Sequence, residues 1–77
     1  MIKVFSTPTC PYCQTLKNFL KEKGVQFEDI DVSSDLKAQK EMIDKSGQMA
    51  VPVVEIDNEI IIGFNKEKIS QLLKIDN

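Results

Sequence analysis

The sequence predicts an α/β domain with its elements in the order β-α-β-α-β-β-α. Three observations carry that reading. Short alternating or β-branched runs, the mark of strands, are interleaved with segments whose apolar residues recur at helical spacing. Pro11, Gly24 and Gly47 fall where helices of that length would start or stop. Asp57-Asn58 separates two β-branched runs, as the two-residue loop of a hairpin does.

Ile2 to Ser6 alternates apolar and polar residues and reads as a half-buried strand. Thr7-Pro8-Thr9 is a loop, and a helix starts with Pro11 at its first position, where the missing N–H costs nothing. Leu16, Phe19 and Leu20 line one face of that helix. Lys17, Lys21 and Lys23 lie toward its C-terminal end, where the dipole favours cations, and Gly24 closes it as a left-handed cap. Val25 to Asp31 alternates again and is expected to form the second strand. Ser33 or Ser34 is expected to cap a second helix running to Ser46 and ended by Gly47, with Leu36, Ala38, Met42 and Ile43 as its apolar side. Pro52 to Ile56 and Glu59 to Ile62 form the hairpin. Asn65 caps a last helix whose Ile69, Leu72 and Leu73 face the core. The first half is a βαβ unit, so its strands should run parallel with a right-handed crossover, and the second half adds an antiparallel pair.

A chain of 77 residues is expected to make one domain, 1–77, around one core. A domain that small buries only about 60% of the surface its unfolded chain exposes. Apolar residues make up 42% and charged residues 29%, the balance of a globular protein. The net charge of −2, without a basic stripe, argues against a nucleic-acid or anionic-membrane partner. No apolar run approaches the ~20 residues that span a bilayer. The N-terminus opens on Ile2-Lys3-Val4-Phe5, without the charged and apolar regions of a signal peptide, so a cytoplasmic monomer is expected.

Two cysteines and no histidine narrow the chemistry further. A disulfide-stapled secreted domain would carry more cysteines. Without histidine there is no Cys–His or Ser–His catalytic pair. A tetrahedral zinc site would need two further ligands, with only carboxylates to supply them, so no resident metal or cofactor is expected. What remains is Cys10-Pro11-Tyr12-Cys13, placed between a strand and a helix start. Residues three apart on a helix are neighbours, which brings the sulfurs within disulfide reach. Cys10 takes the cap position, where free N–H groups and the helix dipole favour a thiolate. Thiols in such motifs fall from ~8.5 to between ~3.5 and ~7.5, and the thiolate is the attacking species in disulfide exchange. Cys13, inside the first turn and less exposed, is placed to attack a mixed disulfide at Cys10 and release the product. Two blander readings are half of a metal knuckle, completed by a second chain or outside ligands, and two unreactive cysteines. The position inside a βαβ unit favours redox chemistry.

Two further residues draw attention. Tyr12 is expected to be exposed, either packing against the apolar stem of a substrate or shielding the disulfide. Pro52 stands at a strand entry, where the trans form is the common case. A cis bond would instead turn the backbone groups of Val51 outward, toward an extended substrate.

With Cys10-Pro11-Tyr12-Cys13, Val51-Pro52 and Gly63 in this order, the chain resembles the glutaredoxin family over essentially its whole length. The resemblance implies the thioredoxin fold, a four-stranded mixed sheet flanked by three helices, with a cis Pro52 beside the cysteine pair. It implies that the backbone of Val51 binds the cysteinyl part of glutathione. It implies that the start of the last helix, Gly63 to Lys66 with Asn65, holds the γ-glutamyl carboxylate, and a helix N-terminus suits an anion. Three departures stand out. Thr7 replaces the basic residue often found three places before the first cysteine. Ala50-Val51-Pro52 replaces Thr-Val-Pro, with Met49 where an arginine is common. Asn65-Lys66 replaces an Asp-Asp pair. Each change removes a charge partner for glutathione, although Lys66 adds one for its carboxylate. Gly63-Phe64 with Glu67 and Ile69 is similar to the tail of redoxins coupled to thioredoxin reductase, which donate hydrogen to ribonucleotide reductase. The implied activity is reduction of protein disulfides or glutathione mixed disulfides, with Cys10 as nucleophile, Cys13 as resolving thiol and glutathione as co-substrate. One alternative takes electrons from thioredoxin reductase. Another is a non-catalytic carrier, two chains sharing an iron–sulfur cluster through Cys10, against which Pro11 counts.

Overall fold

The structure, a computed structural model, describes residues 2–74. The expected domain of 1–77 therefore extends slightly outside the described residues. Its elements are β1 (Ile2–Ser6), α1 (Pro11–Glu22), β2 (Glu28–Asp31), α2 (Leu36–Ser46), β3 (Val53–Ile56), β4 (Glu59–Ile62) and α3 (Lys66–Leu73). The strands form one mixed sheet in the order β2-β1-β3-β4. β1 runs parallel to β2, with Lys3 opposite Glu28 and Ser6 opposite Asp31. It runs antiparallel to β3, with Val4 opposite Val54 and Phe5 opposite Val53. β3 turns back into β4 through Asp57-Asn58, with Asp57 at φ 56°. This is the thioredoxin-type arrangement that the resemblance implied.

Strand alternation divides the core between the two faces of the sheet. Val4, Val54, Ile56 and Ile61 pack with Leu16, Phe19 and Leu20 of α1 and Ile69 of α3. On the opposite face Phe5 and Val53 pack with Val32 and with Ala38 and Met42 of α2. Two helices therefore cover one face and one helix the other, and α1 starts just beyond the C-terminal end of β1.

Three local expectations are corrected. The cap of α2 is Asp35, whose carboxylate accepts from the Ala38 N–H at 3.1 Å. Ser33 is occupied elsewhere, donating through its backbone N–H and its hydroxyl to Asp31 Oδ1. With the helix starting one residue later, Leu36 points to solvent and is 77% exposed instead of lying on the apolar side. The second strand starts at Glu28, because the end of α1 uses the residues before it. Val25 N–H donates to Leu20 O at 2.9 Å and Gly24 N–H to Lys21 O at 3.1 Å, with Gly24 at φ 70°. That pair of bonds is a Schellman closure, and it takes Val25 out of the ladder. Val25 and Phe27 still pack against the core. The third strand begins at Val53, with Pro52 just outside it.

Candidate active site

β1 ends at Ser6, and after three intervening residues Cys10 caps α1 with extended backbone, φ −92° and ψ 113°. Its sulfur accepts the N–H of Cys13 at 3.1 Å. A sulfur thus occupies the place that a serine or aspartate oxygen usually takes at an N-cap, facing the unpaired N–H groups of the first turn. Pro11 at N1 sacrifices no bond, and Gln14 N–H donates to Cys10 O at 3.3 Å. Both cysteines are unbridged; Cys10 is half-buried and Cys13 fully buried. Burial, and next the hydrogen bond with Cys10, pushes the Cys13 thiol from 9.0 up to about 11. A backbone hydrogen bond with Thr7 and the charge of Lys17 pull it the other way. One thiol is reachable at the cap of α1. The other is sheltered and stays protonated near neutral pH.

A second segment forms a wall beside Tyr12 of the motif. The Val51-Pro52 bond is cis, and Gly63 N–H donates to Pro52 O at 2.8 Å, fixing the start of the hairpin. Tyr12, Val51, Pro52, Gly63 and Phe64 line an open groove of about 360 Å³, with Tyr12 69% exposed. Four residues singled out in the sequence thus come together, and Phe64 joins them. Val51 takes part in no strand ladder and no loop hydrogen bond among the described residues. It also borders a second, smaller groove of about 190 Å³ with Thr7, Val32, Gln39, Met42, Met49 and Ala50. The two grooves meet at Val51.

Asn65 and Lys66 lie apart from this wall. They line a broader depression with Ile62, Phe64 and Glu67, which adjoins the first groove through Phe64. Asn65 caps α3 as expected, its Oδ1 accepting from Lys68 N–H at 3.1 Å. Lys66 places its ammonium 5.5 Å from the centre of the Phe19 ring, a cation–π contact.

Lys17 departs from expectation. Its place in α1 suggested a cation answering the helix dipole; it is in fact 8% exposed and pairs with Asp29 Oδ2 at 3.0 Å. Ser6 Oγ donates to the other carboxylate oxygen at 2.9 Å. The readable signal was spacing, since Lys17 follows Cys13 by four residues and so shares its face of the helix. Among the described residues no group of three or more His, Cys, Asp or Glu side chains is arranged to hold a metal ion. Among them, too, no helix is long and apolar enough to cross a membrane.

A profile of the glutaredoxin family matches residues 2–61. A glutaredoxin-like 8.6 kDa protein encoded in the rubredoxin operon of Clostridium pasteurianum is 49% identical over 74 residues, covering 96% of this chain and 99% of that protein. Glutaredoxin 3 of Escherichia coli K12 is 36% identical over 62 residues, 80% of this chain and 75% of the relative. Among solved structures, a point mutant of the thioredoxin-like protein BC3987 superposes with a TM-score of 0.93 at 39% identity, covering 97% and 96% of the two chains. The NrdH-redoxin of Escherichia coli, a glutaredoxin-like protein with a thioredoxin-like activity profile, gives 0.81 at 27% identity and 92% of each chain. A buckwheat glutaredoxin in complex with glutathione gives 0.77 at 25% identity, covering 95% of this chain and 73% of that one.

Proposed function

The chain belongs to the glutaredoxin family of thiol–disulfide oxidoreductases, and from that premise we propose that it reduces protein disulfides and glutathione mixed disulfides through Cys10 and Cys13. The carrying observation is the pairing of a reachable sulfur at the cap of α1 with a buried thiol in the same turn. The Cys10 thiolate attacks one sulfur of the substrate disulfide. A Cys10–substrate bond forms, and the other substrate sulfur leaves as a thiolate that takes a proton from water. Cys13 then gives up its proton and attacks the Cys10 sulfur. The Cys10–substrate bond breaks, the second substrate thiol departs, and the protein is left with a Cys10–Cys13 disulfide. Two electrons have passed to the substrate, and two molecules of glutathione return them, leaving as glutathione disulfide. Cys13 succeeds against bulk thiols because it is held beside its target.

In this reading the groove of Tyr12, Val51, Pro52, Gly63 and Phe64 receives the chain flanking the substrate sulfur. The backbone of Val51, outside any ladder, pairs with it as a neighbouring strand would. Gly63, Asn65 and Lys66 at the start of α3 meet the γ-glutamyl end of glutathione, and the protein acts as a cytoplasmic monomer. The similarity to the buckwheat glutaredoxin–glutathione complex supports glutathione as co-substrate.

A second reading keeps the chemistry and takes electrons from thioredoxin reductase. It is favoured by the likeness to NrdH-redoxin and by the uncharged Thr7, Met49 and Ala50 around Val51. NADPH consumption with a disulfide-containing protein as acceptor separates the two. Glutathione with glutathione reductase should sustain turnover. Turnover with thioredoxin reductase alone would replace the first reading with the second.

A further inference from the structure

Resting on the reading of Cys13 as the resolving thiol, the geometry points to a step-specific role for a residue outside the motif. We infer that Lys17, tethered through Asp29 to Ser6, is a positioning residue for the resolving step, holding its ammonium one helical turn beyond Cys13, where negative charge develops when that thiol ionises.

Three observations support this. Lys17 is a buried cation, and long charged side chains are rarely buried without a reason beyond packing. It is paired with a single carboxylate, that of Asp29, which is half-exposed, so the pair neutralises Lys17 incompletely and leaves a net field inside the domain. Asp29 also takes the hydroxyl of Ser6, the last residue of β1, immediately before Thr7. One carboxylate thus ties α1 to the strand end from which the Cys10 loop departs. Cys13, four residues before Lys17 on the same face of α1, has a backbone hydrogen bond with Thr7 and feels the charge of Lys17.

The ionisable groups acting on Cys13 are Cys10 and Lys17 on α1 and, through Lys17, Asp29 on β2. Lys66 of α3 lies over the Phe19 ring, and Glu41 and Lys45 of α2 pair with Lys3 and Glu55 on β1 and β3. In the step itself Cys13 S–H loses its proton to water, its sulfur bonds to Cys10, and the Cys10–substrate bond breaks with its electron pair going to the departing thiolate. Lys17 transfers nothing; it lowers the cost of the thiolate.

The test mixes reduced protein with an excess of a chromogenic aromatic disulfide and follows thiolate release by rapid mixing. The first phase reports attack by Cys10 and the second reports attack by Cys13. Lys17→Gln should move the pH profile of the second phase upward by about one pH unit, leaving the first phase unchanged. Near neutral pH the second phase should slow about threefold, because the more basic thiolate is the better nucleophile and offsets part of the loss. Asp29→Asn removes the countercharge while its amide oxygen can still accept from Lys17, and should move the same profile downward. Opposite shifts support the inference; shifts in the same direction, or none, overturn it. Cys13→Ser, run in parallel, isolates the underlying reading. A second phase that persists in that variant means that Cys13 does not resolve. A second phase lost there but insensitive to Lys17 and Asp29 means that the inference alone has failed. Thiolate absorbance titration of the same substitutions in a Cys10→Ser background should show the same opposite shifts in the Cys13 thiol.

Discussion

The amide of Cys13 donates to the sulfur of Cys10 across 3.1 Å, so each cysteine contributes to the state of the other before any disulfide forms. Burial, and next the side-chain hydrogen bond with Cys10, disfavours an anionic Cys13, while Cys10 stands reachable at the cap. Alkylation of the reduced protein near neutral pH, followed by peptide mass mapping, should therefore modify Cys10 well before Cys13. Equal or reversed labelling would remove the distinction between attacking and resolving thiols.

The raised Cys13 thiol also makes stability depend on pH at the alkaline end. In the unfolded chain the group ionises near 9.0, and in the folded protein near 11. Between these values the unfolded state has already lost the proton that the folded state retains, so stability falls as pH rises. Below that window the contribution is fully present. Urea unfolding of the reduced protein should show a midpoint that declines between about pH 9 and about pH 11, and Cys13→Ser should flatten that decline. A decline of the same size in Cys13→Ser would assign it to other groups.

The cap of α2 gives a local test. Asp35→Ala removes the side-chain acceptor of the Ala38 N–H and should cost about 1 kcal/mol. Ser34→Ala loses only a long 3.4 Å bond to Asp31 O at an exposed site and should stay within about 0.5 kcal/mol. Chemical denaturation of the two variants checks the ranking.

That contrast shows what the sequence could and could not disclose. Element order, the helix start at Pro11, the αL glycines at 24 and 47, the hairpin and the cap at Asn65 were all legible, because each depends on a residue with one strong local preference. The cap of α2 was not, since Ser33, Ser34 and Asp35 are all competent caps and the choice fell to the turn that Ser33 makes with Asp31. The start of β2 was not, since alternation from Val25 onward suits either a strand or a chain leaving a Schellman turn. In the candidate site, the turn shared by Cys10 and Cys13 was legible from the motif, and the meeting of Tyr12, Val51, Pro52 and Gly63 at one groove from the motif and the resemblance. The burial and pairing of Lys17 were not legible, because its partner, Asp29, is brought to it only by the parallel crossover.

Met49 tests what the groove around Val51 selects. It is 67% exposed beside Ala50 and Val51, where many glutaredoxins carry an arginine. Met49→Arg adds a cation to a groove without one and should lower KM for a glutathione mixed disulfide several-fold, with little change in kcat. An unchanged KM would place the glutathione carboxylates away from this segment.

The division of labour between Cys10 and Cys13 is tested most directly by offering Cys13→Ser a disulfide-containing protein and resolving the products on non-reducing gels. Without the neighbouring thiol, the mixed disulfide at Cys10 has no intramolecular route of escape. The account predicts that a covalent adduct through Cys10 accumulates and that protein disulfide reduction falls to a small fraction of the parent rate. A small glutathione mixed disulfide, whose adduct a second glutathione can clear, should still turn over. A folded Cys13→Ser protein that forms no adduct and reduces protein disulfides at the parent rate would contradict the account.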